Sequence, residues 1–144
     1  MIAGKSEDEK YLHQMKRFVS QNKLSERVKF DIRFIPNDEL NSYINEAIGV
    51  GYAPLDEDAF GYVTIEAFQR NRTCLTLTDS GQVAALVNSL TPNFVCQNDK
   101  NEIAKMLDWL YENPIERSSI EQDLSSKLEA ILPSWSQVIE KLLN

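Results

Sequence analysis

Ile48-Gly49-Val50-Gly51-Tyr52-Ala53, followed after an acidic loop by Asp58-Ala59-Phe60-Gly61-Tyr62-Val63-Thr64-Ile65-Glu66, decides the fold of this chain. The first stretch is a short unbroken apolar run, the composition of a central strand in a parallel sheet with both faces covered. The second opens onto a helix expected from Phe60 to Arg70. A strand handing over to a helix is half of a βαβ unit. The loop between them leaves the strand's carboxyl end, where open α/β sheets take their ligands.

Working outward, the same alternation continues in both directions. Met1 to Gly4 reads as the end of a strand, and Glu7 to Asn22 as a helix with Tyr11, Leu12, Met15, Phe18 and Val19 on one face. Val28, Phe30, Ile32 and Phe34 alternate with Lys29, Asp31 and Arg33, a strand with one face exposed. Pro36 starts a helix whose inner residues are Leu40, Tyr43, Ile44 and Ala47. Downstream, Cys74 to Thr78 is a strand, Gln82 to Val87 a short helix, and Phe94 to Cys96 a short strand. The rest is helical. Asp99 and Glu102 form a capping pair ahead of Ile103, Met106, Leu107 and Leu110. One helix then carries Ile120, Leu124, Leu128 and Ile131, and a last one starts at Ser134. The expected fold is α/β: a Rossmann-like, doubly wound, mostly parallel sheet of about five strands, helices on both faces and a helical C-terminal tail. Residues 1–144 are expected to form a single domain.

The totals exclude several function classes. The chain is 42% apolar and 26% charged, a globular composition. A net charge of −7 argues against wrapping nucleic acid, whose binders carry a basic face. No apolar run approaches the roughly 18 residues of a membrane span. The first residues lack a signal-peptide apolar core, so a cytoplasmic location is expected. Cys74 and Cys96 lie in apolar runs without metal-ligand spacing and read as buried thiols, and no metal is expected. His13, the single histidine, falls on the first helix, away from the strand ends.

The chemistry points at phosphate. Amides of Phe60, Gly61, Tyr62 and Val63 would stand free at a helix N-terminus, a ready anion site. Glu66, a turn deeper, suits the hydroxyls of a ribose, and Asp58 lies eight positions before it. The loop Thr78-Asp79-Ser80-Gly81 leaves the next strand and should line the same crevice with Ser80 and Gly81.

The segment from Asp58 to Ala67 resembles the donor-binding segment of the group-1, retaining, GT-B type nucleotide-sugar glycosyltransferases. That family carries Glu-Gly-Phe-Gly and, with seven residues between the two glutamates, Glu-Ala; here the spacing, Phe60-Gly61 and Glu66-Ala67 are kept. Asp58 replaces the first glutamate and Ala59 the first glycine. Ile2-Ala3-Gly4, Arg27 to Phe30, Asp38-Glu39-Leu40, Thr78 to Gly81 and Ser134-Trp135 fall where the family has similar residues, so the resemblance covers nearly the whole chain. The departures are Gln82-Val83-Ala84-Ala85, where the family has a glycine and reaches a carboxylate, Asn71-Arg72-Thr73 for Gly-Lys-Pro, and Pro92 for a turn glycine.

The resemblance implies the C-terminal, nucleotide-sugar-binding half of a glycosyltransferase. The donor would be a UDP-, GDP- or ADP-sugar and the acceptor a sugar or a lipid-linked acceptor, with no cofactor. Asp58 would be the catalytic carboxylate against the transferred sugar. The donor contacts would come from Glu66, Phe60, Gly61, Tyr62, Val63, Phe34, Ser80 and Gly81. It further implies that the family's first strand–helix unit, with its basic pair, and its whole N-terminal domain lie upstream of Met1. The chain alone is therefore expected to be inactive, and the complete enzyme to work peripheral to the inner face of a membrane. The final stripe, Trp135, Val138, Ile139, Leu142 and Leu143, is expected to mediate weak self-association. A second reading is a degenerate, non-catalytic interaction or regulatory module, which the altered 82–85 loop favours. A receiver-type signalling domain lacks its clustered N-terminal acidic pair.

Overall fold

A computed structural model describes residues 1–55 and 61–132. The chain forms two compact units, Met1–Leu40 and Asn41–Asn144. The structure is α/β, with two parallel sheets of two and three strands.

In the first unit, β1 (Ile2–Ala3) pairs in parallel with β2 (Phe30–Asp31), and α1 (Glu9–Gln21) crosses between them. Asp8 caps α1 by accepting from the Tyr11 N–H at 2.9 Å. The buried stripe of α1 is narrower than expected. Leu12 and Val19 are buried, whereas Tyr11 and Phe18 face solvent, because a two-stranded sheet offers less cover than the face from Tyr11 to Val19 requires. The ladder of β2 stops at Asp31. Arg33 folds back in a fork on Asp31 and also pairs with Glu39, which raises its guanidinium pKa further, through the Glu39 hydrogen bond first.

The second unit begins in α2 (Asn37–Glu46), which crosses the boundary and buries Ile44. β3 (Val50–Gly51), β4 (Cys74–Leu77) and β5 (Val95–Cys96) then lie side by side in that order. α3 (Tyr62–Gln69) and α4 (Gln82–Leu90) are the crossovers. Both steps run the same way across the sheet, so right-handed crossovers put both helices on one face. Cys74 Sγ lies 3.9 Å from Thr64 Oγ1 of α3, which marks that face. Gly49 is one residue out of phase with it, and a Cβ there would lie 3.0 Å from Leu110 of α5 (Lys100–Glu112). Helices therefore cover both faces of this sheet. The strip is deeply packed, with Phe68, Cys74, Val83, Val87, Leu124 and Leu128 essentially inaccessible.

Three expectations need correction. The five strands do not share one sheet. β3 is an edge strand of the three-stranded sheet, not a central one: an apolar run reports the burial a segment favours, but pairing requires a neighbour on each side, and among the described residues β3 is hydrogen-bonded to β4 alone. The helix expected to run from Ile120 to Ile131 is two, α6 (Pro114–Glu121) and α7 (Leu124–Ile131). Tertiary bonds break it. Glu121 accepts from Thr73 N and Oγ1 at 2.9 and 3.1 Å, and the Ser125 N–H in the first turn of α7 donates to Asn71 Oδ1 at 2.9 Å. α7 then packs on α3 and α4. The helix expected from Ser134, with its Trp135 to Leu143 stripe, lies outside the described residues.

The capping pair of α5 is present in altered form. Asp99 accepts from Asn101 and Glu102 N–H, but the Glu102 carboxylate takes the Gln97 N–H at 2.9 Å rather than that of Asp99.

Candidate functional site

β3 and β4 run parallel, with Val50 opposite Cys74 and Gly51 opposite Leu75, so their carboxyl ends point to the same side of the sheet. The loops that leave them lead to the N-termini of α3 and α4, and both helices begin at a glycine with positive φ, Gly61 at 65° and Gly81 at 58°. Neither helix has a side-chain cap among the described residues. Capping would have consumed the first amides. Instead the Tyr62 and Val63 N–H groups of α3 and the Gln82 N–H of α4 make no hydrogen bond among the described residues. A Cβ at Gly61 would lie 3.2 Å from Val83 Cγ2, in the first turn of α4. The two amide-bearing helix ends are therefore neighbours, and their positive dipole ends converge on one place.

Glu66 sits on α3 beside the buried Thr64, Ala67 and Phe68. Its Oε2 is buried and has no hydrogen-bond partner among the described residues. Arg70, one turn on, donates to the Glu66 main-chain oxygen at 3.1 Å rather than to its carboxylate. No ion pair holds Glu66 among the described residues. An unpaired buried carboxylate oxygen is costly, of order 1–3 kcal/mol or more, and such an atom marks a place for a donor.

Ser80 is fully buried, and its Oγ also lacks a partner. It sits just before Gly81, with its N–H on Leu77 O and its carbonyl taking the Val83 N–H. Thr76 Oγ1, on β4, is a third buried oxygen without a partner. Tyr62 is 86% exposed at the mouth of this region. Thus Gly61, Tyr62, Val63, Glu66, Ser80 and Gly81 all belong to the carboxyl-end side of one unit. Phe34 belongs to the first unit, where it is 76% exposed. Asp58 and Phe60 lie outside the described residues.

Sequence reading missed two contributors. Tyr52 holds the α3 entrance, since its ring occupies the space a Gly61 side chain would need. Thr76 reads as an ordinary strand residue. Nothing local signals either, because both roles arise from contacts across the loop and sheet.

Two hollows among the described residues of this unit lie elsewhere. One, of about 410 Å³, is mainly apolar and sits between β5 and α5, against Phe94, Met106 and Trp109. The other, of about 420 Å³, is polar and lies at the amino end of β4, between Asn71, Arg72 and Ser118. The first is a gap beside the edge-on Phe94–Trp109 pair, whose rings are 5.4 Å apart. The second surrounds the Glu121 anchor. Neither brings free amides and an unpartnered carboxylate together, so the chemistry favours the α3–α4 entrance. No described residues form a cluster of histidine, cysteine and carboxylate groups suited to a metal, and no helix among them is long and apolar enough to cross a membrane. No model of a known protein family matches the chain, and neither does any curated protein.

Proposed function

We propose that the 41–144 unit binds a nucleoside-diphosphate sugar, as the donor-binding half of a Rossmann-like GT-B glycosyltransferase. The observation that carries this reading is the buried, unpartnered Oε2 of Glu66, a turn behind the free amides of α3 and beside those of α4. A nucleoside diphosphate has the matching chemistry. Its phosphate oxygens accept from the amides, and a ribose hydroxyl donates to Glu66. Asp58 is assigned to the transferred sugar. In the complete enzyme the sugar passes to a sugar or lipid-linked acceptor.

Loss of a diphosphate needs positive charge set in place beforehand. Residues 52–55, 61–66 and 78–83 contain no lysine or arginine, so this site holds a donor without supplying that charge. Binding without turnover is therefore the expected behaviour of the chain. Calorimetric titration with UDP, GDP and ADP tests it: at least one should bind with a 1:1 endpoint. No heat of binding with any of the three at millimolar concentration would overturn the reading. It would leave a non-catalytic interaction module, a reading that rests on Val83 and Ala84, which are buried in α4 where the family pattern has a donor loop.

A further inference from the structure

α5 is fastened near both of its ends. In its first turn the Glu102 carboxylate accepts the Gln97 N–H, just beyond β5, at 2.9 Å. Near its last turn Leu110 is buried, 3.0 Å from where a Cβ of Gly49 would stand, beside β3. Between these fastenings the helix does not close on β5. It leaves a hollow of about 410 Å³ between residues 93–96 and the face of α5 that carries Lys105, Met106 and Trp109.

Packed interiors leave few voids larger than a water molecule, and this one reaches the core. Phe94 and Cys96, which line it, are only 2% and 5% exposed. Phe94 and Trp109 meet edge to face with centroids 5.4 Å apart, and the Met106 thioether stands three residues before Trp109. Aromatic edges and a thioether favour a flat ring as neighbour. The Cys96 thiol lies 3.8 Å from Thr76 O, and burial pushes its pKa up, so the inner wall carries no charge. At the mouth, the Glu102 carboxylate is engaged by the Gln97 N–H. Lys105 is exposed and makes no ion pair or hydrogen bond among the described residues. The charge left unmet there is therefore positive.

We propose that this hollow binds a small aromatic carboxylate, its ring against Phe94, Met106 and Trp109 and its carboxylate on the Lys105 ammonium. The volume falls within the roughly 300–1,000 Å³ of small-molecule sites, which combine apolar walls with a few polar groups that set orientation. The ring supplies the buried apolar area, and the charge decides which end stays at the mouth. Asn93, also lining the hollow, offers a side-chain amide to the second carboxylate oxygen. Every group used lies within residues 93–109 of one unit. None belongs to the α3–α4 entrance, so the readout needs no nucleotide.

NMR of methyl-labelled methionine, with calorimetry, tests the proposal. The probe is cinnamate, and the controls are cinnamyl alcohol, which lacks the charge, and octanoate, which lacks the ring. Of the three methionines, Met1 and Met15 lie in the first unit and Met106 lines the hollow. Cinnamate should shift the Met106 methyl through its ring current, with a one-to-one endpoint, and leave Met1 and Met15 in place. It should bind about fivefold more tightly than cinnamyl alcohol, the upper worth of one exposed charge pair, and more tightly than octanoate. Lys105→Met, which keeps the stem and removes the charge, should erase the preference over the alcohol. Met106→Trp, which fills the hollow, should abolish binding, and if that variant does not fold the Lys105→Met comparison still decides. No Met106 shift at millimolar cinnamate, or a shift confined to Met1 or Met15, would overturn the proposal. So would equal affinity for either control, a preference that survives Lys105→Met, or binding that persists in folded Met106→Trp.

Discussion

Tyr52 and Gly61 interlock at the entrance of α3: a Cβ on Gly61 would sit 2.5 Å from Tyr52 Cε1. Gly61 also holds φ at 65°, a region open to glycine at little cost. Two independent constraints therefore fix one residue. Gly61→Ala should lose about 1–2 kcal/mol to the backbone conformation and about 1–3 kcal/mol more to the clash. Adding Tyr52→Ala should recover part of the second loss and none of the first. Urea denaturation of the two single variants and the double variant measures this, and strictly additive losses would refute the interlock.

Glu66→Gln should not lower the urea midpoint, because Glu66 has no ion pair among the described residues to lose. Nucleoside-diphosphate affinity should fall roughly ten- to a hundredfold, since a hydrogen bond to a charged acceptor is worth about 1.5–3 kcal/mol. Unchanged affinity with a lowered midpoint would instead make Glu66 a structural residue.

The buried thiols predict an alkaline weakness. Burial pushes Cys74 up from 9.0 to about 12, and Cys96 is raised for the same reason. Between these values the native state keeps its Cys74 proton while the unfolded state releases it. The stabilisation is thus complete below pH 9 and is lost as pH rises towards 12. The slope for one such group approaches about 1.4 kcal/mol per pH unit. Denaturation midpoints should fall from pH 9 upward, and Cys74→Ala should flatten the fall. An equal slope in that variant would count against the assignment.

Glu121 anchors β4 to the α6–α7 junction through Thr73, with Arg72 and Arg117 each 3.9 Å from its other oxygen. Glu121→Ala strands the buried Thr73 N–H and should cost about 1–3 kcal/mol. Glu121→Gln keeps an acceptor for Thr73 and should cost less. Guanidinium denaturation ranks the two, and equal losses would shift the weight from the hydrogen bonds to the ion pairs.

What the sequence determined by itself was the order and kind of elements. The strand–helix alternation, the helix that opens just after Pro36 and the run from β4 through α4 to β5 follow from local chemistry: periodicity and turn formers act within a few positions. Burial of both cysteines was legible for the same reason.

Tertiary structure alone decided the rest. Glu66 and Arg70 stand at ion-pair spacing on one helix, yet the arginine takes the main chain and leaves the Glu66 oxygen unpaired. The break between α6 and α7 depends on Thr73 and Asn71, about fifty residues away, with separations of 48 and 54. The edge position of β3 contradicts its own composition. Each case turns on a partner brought in by the fold. A sequence pattern encodes the burial and hydrogen bonding that a segment needs, whereas the three-dimensional arrangement fixes which of those needs are met.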